Sequence, residues 1–375
     1  MANIRKRPSG KYQITVYKSD PRTGRGKRHY KTVKAKNRYD AKKQAAIFEA
    51  ELEKRMFTYT DMIVAEYAQR WLDKKRKDLA LKTVSNYTSK LNLHILPGLG
   101  GIKMKNLSPM NFLDLYDDLR NKKGLSGKTV NVIHKVIHSM LSDAVRWELI
   151  EYNPLSKVKA PKFESKKNNY LSIDETKKLL YLIDYHGEKT KYKLALHLAL
   201  FCGLRRGEIM GLEWRDIDFE TNVFRVERTS QYITGKGIIT KSPKNETSTR
   251  VVHFGDNIKE LLLRQKDELK ELSEVIPGWE ATDRILAAET GGPMFPDSVS
   301  KWFKRFLKRH DFPKRITFHG LRHTSATIMI FNDIDLQTIA TRLGHSDATT
   351  TLKVYSHQVK KADKTAAQKI EDTLK

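Results

Sequence analysis

Residues 319–324 read His319-Gly320-Leu321-Arg322-His323-Thr324, residues 343–345 read Leu343-Gly344-His345, and Tyr355 follows ten residues later. His319 and Arg322 are three apart, so on a helix they share one face. His345 opens the next segment. A histidine and an arginine on one face, a second histidine and a nearby phenol form a set suited to chemistry on a phosphate. Taken singly, each has a plainer reading: a His-x-x-Arg pair is usually a solvated helix face, and with 15 tyrosines in the chain any one of them is more often a packing residue.

The rest of the chain favours the chemical reading. It has 375 residues with 71 Lys and Arg against 44 Asp and Glu, a formal net charge of +27. That excess exceeds what solubility requires and implies an extended polyanionic partner, nucleic acid above all, over a merely solvated basic surface. The length calls for two or three domains, and a hydrophobic fraction of 39% is enough to build their cores. The single cysteine, Cys202, excludes a disulfide framework and a multi-cysteine zinc site, and reads as a small buried hydrophobe. His319, His323 and His345 make a poor metal site beside arginines and with no glutamate between the first two, so no metal is expected. No apolar run reaches the ~20 residues of a membrane span, and the chain is charged from Arg5 onward, with no signal-peptide core. A cytoplasmic protein that contacts no membrane is the expectation.

In chain order, Tyr12 to Tyr17 and His29 to Val33 alternate as strands around the turn at Asp20-Pro21, and Asn37 to Arg55 has helical spacing. Basic residues crowd this first unit, 1–57, among them Arg5, Lys11, Arg22, Arg25, Lys27 and Arg28. A small basic sheet backed by a helix can enter a DNA groove, although a solvated hairpin would have the same composition. Residues 60–160 read as all helical, with helices opening near Asp61, Thr83, Ser108-Pro109 and Gly127. Pro97, Gly98, Gly100 and Gly101 are expected to end one helix, and Asn153-Pro154 to end the last. From Lys157 to Asn169 a basic connector, including Lys159 and Lys162, can run along a phosphate backbone. The third unit, 170–375, opens on a capping pattern at Ser172. An apolar helix ending at Gly203 follows, then a helix from Arg205 or Arg206 bearing Glu208. Three short strands (Val223 to Val226, Ile238 to Thr240 and Arg250 to Phe254) and further helices complete it.

The ordered series Gly203-Leu204-Arg205-Arg206-Gly207-Glu208, His319-Gly320-Leu321-Arg322-His323-Thr324, Leu343-Gly344-His345 and Tyr355 resembles the tyrosine recombinases, most closely their phage and conjugative-transposon integrase branch. The likeness spans the whole chain. It implies a multidomain, mainly α fold with small β-sheets: an N-terminal three-stranded sheet plus helix that binds arm sites, a helical core-binding domain and a mixed α+β catalytic domain. It further implies a site-specific DNA recombinase that integrates and excises a mobile element. Tyr355 would attack a DNA phosphate to give a 3′-phosphotyrosine and release a 5′ hydroxyl, with no cofactor, ATP or metal. Arg205 and Arg322 would clamp the phosphate, His319 would accept the tyrosine proton, and His345 would bond a phosphate oxygen. The family's leaving-group lysine lies in the turn between the second and third strands. Here that turn holds Lys241 and Lys244, with Lys244 the better match although Asn245 stands where a threonine is usual. Glu208 is similar to the acidic residue that supports the first arginine.

The resemblance also implies a homotetramer on DNA in a bacterial host's nucleoid, helped by a host DNA-bending protein and an excision factor. The tail, with Ala366, Ile370 and Leu374 on helical spacing, could equally dock on a neighbouring protomer or end as a frayed helix. Two other classes remain in view: a DNA-binding protein that has lost catalysis, and a topoisomerase or telomere resolvase. Retention of Tyr355 and both arginines opposes the first, and the arm-type N-terminal domain that the resemblance implies opposes a topoisomerase or a telomere resolvase.

Overall fold

The computed structural model describes residues 2–19, 26–163, 170–241, 249–313, 316–344, 371–372 and 374, without the side chains of residues 18, 19, 27 and 53–60. Lys244, His345, Tyr355, Arg22 and Arg25 therefore lie outside the described residues, as does the side chain of Lys27. The chain forms two compact units, 1–165 and 166–375.

The first unit holds two separate hydrophobic cores. In the smaller, β1 (Asn3–Lys6), β2 (Tyr12–Ser19) and β3 (Gly26–Val33) pair antiparallel in that order. Period-2 alternation sends Tyr12, Ile14, Val16 and Val33 to one face, where Ala41, Ala45 and Leu52 of α1 (Arg38–Thr60) cover them. Asn37 caps α1 by accepting from the Asp40 amide at 2.9 Å. The other face carries Arg5, Tyr17, Arg28 and Tyr30, all exposed. Its register is Arg5↔Gln13↔Thr32, Thr15↔Tyr30 and Tyr17↔Arg28. On this face the Arg7 guanidinium donates twice to Gln13 Oε1, at 3.2 and 3.1 Å. β1 was not legible as a strand, because four mostly polar residues carry too little alternation.

The second core is helical. It is built from α2 (Val64–Lys75), α3 (Leu81–Lys90), α4 (Leu96–Leu99), α5 (Pro109–Asp117) and α6 (Gly127–Arg146), around Tyr67, Trp71, Leu91, Phe112 and Ile137. Buried Asp143 organises it by accepting from Trp71 Nε1 and Lys75 Nζ, each at 2.8 Å, and from Arg146 at 3.0 Å. Burial alone would raise that carboxyl; the hydrogen bonds from Lys75 and Trp71 and the nearby cations more than offset it and hold it below its ordinary range.

One expectation is refined here and two are corrected. The helix does end at the Pro97 to Gly101 cluster, with Gly100 as the cap of α4, but Pro97 and Gly98 themselves lie inside it. A wide π-type turn, Leu91–Ile95, carries the helical path from α3 into α4; Pro97 follows it with no N–H to give, and the Leu93 carbonyl one turn back accepts from Lys123 Nζ at 3.1 Å instead. The last helix ends at Arg146, not at Asn153; Glu148 turns left-handed at φ 60°, and Asn153 instead caps a 3₁₀ turn, Pro154–Lys157. The start of the basic connector is packed: Val158 is buried, and Asn131 donates to the Pro161 carbonyl at 3.1 Å. Lys159 and Lys162 remain exposed.

In the second unit, α7 (Ile173–Tyr185) opens with a reciprocal capping box between Ser172 and Glu175, and α8 (Thr190–Phe201) is buried on all sides from Leu194 to Leu200. Around α8 pack α10 (Asp256–Val275), α11 (Ser298–Arg309) and α12 (Phe318–Phe331), through Leu196, Leu198, Phe303, Phe306 and Leu321. α13 (Leu336–Leu343) follows on α12. The three expected strands are present, and two more join them. β4 (Ile217–Asp218), β5 (Val223–Val226) and β8 (Arg250–His253) form one antiparallel sheet, and β6 (Thr229–Ile233) with β7 (Gly237–Lys241) forms another. β6 is too polar to announce itself; its partner across the Gly235 and Gly237 turn, both at positive φ, makes it a strand. No helix among the described residues is long and apolar enough to cross a membrane.

Candidate active site

The site begins where α8 stops. Gly203 has φ 64°, a left-handed conformation that favours glycine. A side chain there would also run into Leu343. The reversed backbone presents the Gly203 carbonyl to Arg322 of α12, whose Nη1 donates to it at 2.7 Å. Two stretches more than a hundred residues apart in sequence are thus joined by one bond. Thr324, one turn along α12 from Gly320, donates to the Gly320 carbonyl at 3.0 Å and accepts from the Leu171 amide at 3.0 Å, tying α12 to the start of the unit.

Arg205 is the residue before the single turn α9 (Arg206–Ile209), not a member of that helix. Glu208 accepts from its backbone amide at 2.9 Å and from its Nη1 at 2.7 Å. The rest of the fork reaches the end of α13, with Nη2 donating to the Gly344 carbonyl at 2.8 Å. Arg206 turns elsewhere, to Asp297 at 2.8 Å and the Ser300 hydroxyl at 2.9 Å. Of the arginine doublet, only Arg205 therefore joins the group.

Glu208 is buried and also pairs with a third arginine. Arg250 Nη2 lies 2.8 Å from Glu208 Oε2, and Arg250 Nε donates to the Arg342 carbonyl at 2.8 Å. Burial by itself raises the Glu208 carboxyl. The Arg250 hydrogen bond and the charges of Arg250 and Arg205 outweigh it, so the group is held below its ordinary value and ionised. Three guanidinium groups against one carboxylate leave an excess of two positive charges. Such a group is arranged to receive an anion.

His319 stands at the open edge of this cluster, its surface exposed. Partial burial of the ring, and then the charges of His323, Arg322, Arg205 and Arg206, push its pKa down from 6.5 to about 4. His319 is thus neutral and able to accept a proton at any pH near 7. The sign for stability follows: above pH 6.5 both folded and unfolded chains leave this ring neutral. Below it, the unfolded chain binds a proton that the folded chain refuses, so stability is lost as pH falls towards about 4. A bound phosphodiester brings negative charge and should move the pKa back up. In a proton NMR titration, the resonance removed by His319→Gln should titrate well below pH 6 in the free protein and higher with DNA bound. A His319 that titrated normally in the free protein would contradict this.

Arg205, Arg322, Glu208 and His319 are therefore brought together. Lys241 ends β7, opposite Thr229 of β6. Among the described residues, no group of three or more His, Cys, Asp and Glu side chains is placed to hold a metal ion. Cys202 is fully buried, and burial pushes its thiol up to about 12, so it is a packing residue. Sequence reasoning overlooked Arg250. Its signal was present, an arginine opening a strand that is otherwise apolar, but only burial against Glu208 gives it meaning.

Residues 169–362 match the model of the phage integrase family, and residues 63–120 match that of the phage integrase N-terminal SAM-like domain. The ICEBs1 integrase of Bacillus subtilis is 26% identical over 99% of this chain and 100% of its own length. A tyrosine recombinase XerC of Chlorobaculum tepidum is 30% identical over 65% of this chain and 71% of its own. In fold, the chain resembles the Tn1549 transposon integrase solved with a circular intermediate DNA (TM-score 0.66, 21% identity, 78% of this chain and 95% of that one). It also resembles a lambda integrase dimer bound to a core site (TM-score 0.60, 20% identity, 94% of each). The chain belongs to the phage integrase family of tyrosine recombinases, enzymes that cut and rejoin DNA.

Proposed function

We propose that this recombinase integrates and excises a mobile element by the following division of labour. Arg205 and Arg322 hold the two non-bridging oxygens of the scissile phosphate. His319 takes the proton of Tyr355 as its phenolic oxygen attacks phosphorus. The P–O5′ bond breaks, Lys244 supplies a proton to the departing 5′ oxygen, and His345 bonds a phosphate oxygen. The product is a 3′-phosphotyrosine and a free 5′ hydroxyl. A 5′ hydroxyl from the partner duplex then attacks that ester and restores a phosphodiester, so one bond is exchanged for another of equal kind and no energy source is consumed. The observation that carries this reading is the bond between Arg322 and the Gly203 carbonyl, beside Arg205 and a neutral His319. It supports a preorganised anion site with a base at its edge.

The exposed face of the N-terminal sheet, with Arg5, Arg28 and Tyr30, supports residues 1–57 as an arm-site domain, with Lys11, Arg22, Arg25 and Lys27 as further contacts. Residues 60–160 would grip the core site and residues 170–375 perform the exchange, with Lys159 and Lys162 along the backbone between them. The active assembly is a homotetramer on DNA in the cytoplasm of a bacterial host, aided by a DNA-bending protein and an excision factor.

The test is a nicked core-site duplex whose cleaved end diffuses away. Incubated with the protein in EDTA, it should leave a denaturation-stable adduct that peptide mapping assigns to Tyr355. An adduct elsewhere, or none, would refute the proposal. The lysine is decided on a duplex with a 5′-bridging phosphorothiolate, whose leaving group needs no acid. Lys244→Ala should be slow on the ordinary duplex, by about 10²–10⁴-fold, and recover on the sulfur one. Lys241→Ala should be near wild type on both; the reverse pattern would move the role to Lys241.

A further inference from the structure

The third arginine has no place in the division of labour above. Arg250 opens β8 opposite Val226 and is buried, as is Glu208. Its Nη2 and Nη1 face Glu208 Oε2 and Oε1 at 2.8 and 3.4 Å, while Arg205 Nη1 faces Glu208 Oε1 at 2.7 Å. One carboxylate thus lies between two guanidinium groups. On its other side, Arg250 Nε holds the Arg342 carbonyl at 2.8 Å, at the end of α13. Gly344 closes that helix at φ 66°, and a side chain there would come within 2.7 Å of Arg250 Nη1. Arg205 bonds the carbonyl of this same Gly344.

We infer that Arg250 is a positioning residue for Arg205: it occupies the inner side of Glu208, so that this carboxylate aims Arg205 without cancelling its charge. The inference rests on the reading of Arg205 as a phosphate clamp. The charge count gives the reason. Arg205, Glu208 and Arg250 together carry one net positive charge. Without Arg250, Glu208 and Arg205 form a neutral pair, and the carboxylate is free to draw the whole Arg205 fork inward. Arg205 would then offer the phosphate little attraction. Loss of the bond to the Arg342 carbonyl would at the same time loosen the turn that precedes His345.

The experiment measures single-turnover adduct formation on two nicked core-site duplexes, one with the ordinary scissile phosphodiester and one with an uncharged methylphosphonate. Arg250→Met should slow the ordinary duplex by about 100-fold, the scale of losing one preorganised donor. On the methylphosphonate, which bears no charge to be clamped, it should come within about tenfold of wild type, with core-site affinity little changed. A variant damaged only in folding would lose equally on both, and equal loss overturns the inference. The double variant Glu208→Gln with Arg250→Met removes the carboxylate that would neutralise Arg205 and leaves Arg205 charged. It should therefore cleave the ordinary duplex faster than Arg250→Met alone; a double variant that is no faster also overturns it. Arg205→Ala is run in parallel. If Arg205→Ala gains nothing from the methylphosphonate, the clamp reading falls and this inference with it. If Arg205→Ala recovers and Arg250→Met does not, the inference alone falls.

Discussion

Tyr355→Phe is expected to bind a core-site duplex with wild-type affinity and to form no covalent adduct with it. The substitution removes one oxygen and keeps the ring, so any packing made by the ring is retained. The nucleophile, by contrast, has no substitute. A positioned water could attack the clamped phosphate in its place, but that would yield hydrolysis, a broken strand without attached protein. The assay distinguishes the two on a denaturing gel: wild type gives a protein-linked band, and the variant gives none. Residual adduct in Tyr355→Phe would mean that another of the 15 tyrosines, or another nucleophile, performs the attack. The clamp of Arg205 and Arg322, with His319 beside it, would then have to be read as serving a different acceptor.

Removal of residues 1–57 is expected to leave core-site cleavage within a few-fold of wild type and to abolish binding to separate arm sites. The sheet and α1 have their own core of Tyr12, Ile14, Val16, Ala41, Ala45 and Leu52, distinct from the core around Trp71 and Phe112, so the deletion takes away a packed unit and not part of one. The exposed face that it removes carries Arg5 and Arg28. Neutralising either arginine in the full-length chain, where it meets a phosphate, should flatten the salt dependence of arm-site binding by about 0.9 in log–log slope. Because tethering raises the effective concentration of one site near the other, integration of a substrate bearing both sites should fall far more in the shortened chain than cleavage of the core alone. Undiminished arm-site binding by the shortened chain would remove the role assigned to the sheet.

How much of this was legible beforehand depends on the kind of feature. The helices with strong apolar spacing and capping residues, at Ser108-Pro109, Ser172 and Asn37, are where local pattern placed them, because cap and period act within a few residues. Strands β1 and β6 were not legible, since a short polar segment becomes a strand only through its partner. The helical path through Pro97 was not legible for a similar reason: a π-type turn shifts the register by one residue, and no single residue announces it.

The sequence by itself determined the family and the candidate chemistry. Arg205, Glu208, His319, Arg322, His345 and Tyr355 occur in an order and with flanking residues that few unrelated chains would share. It also determined the basic character, which depends only on counting charges. Only the tertiary structure decided which of the adjacent pair Arg205 and Arg206 faces the cluster, that His319 is neutral, and that Arg250 belongs with Glu208. These are matters of burial and of distances between segments far apart in the chain. A guanidinium's role depends on which carboxylate or carbonyl lies within 3 Å, and linear spacing carries no record of that.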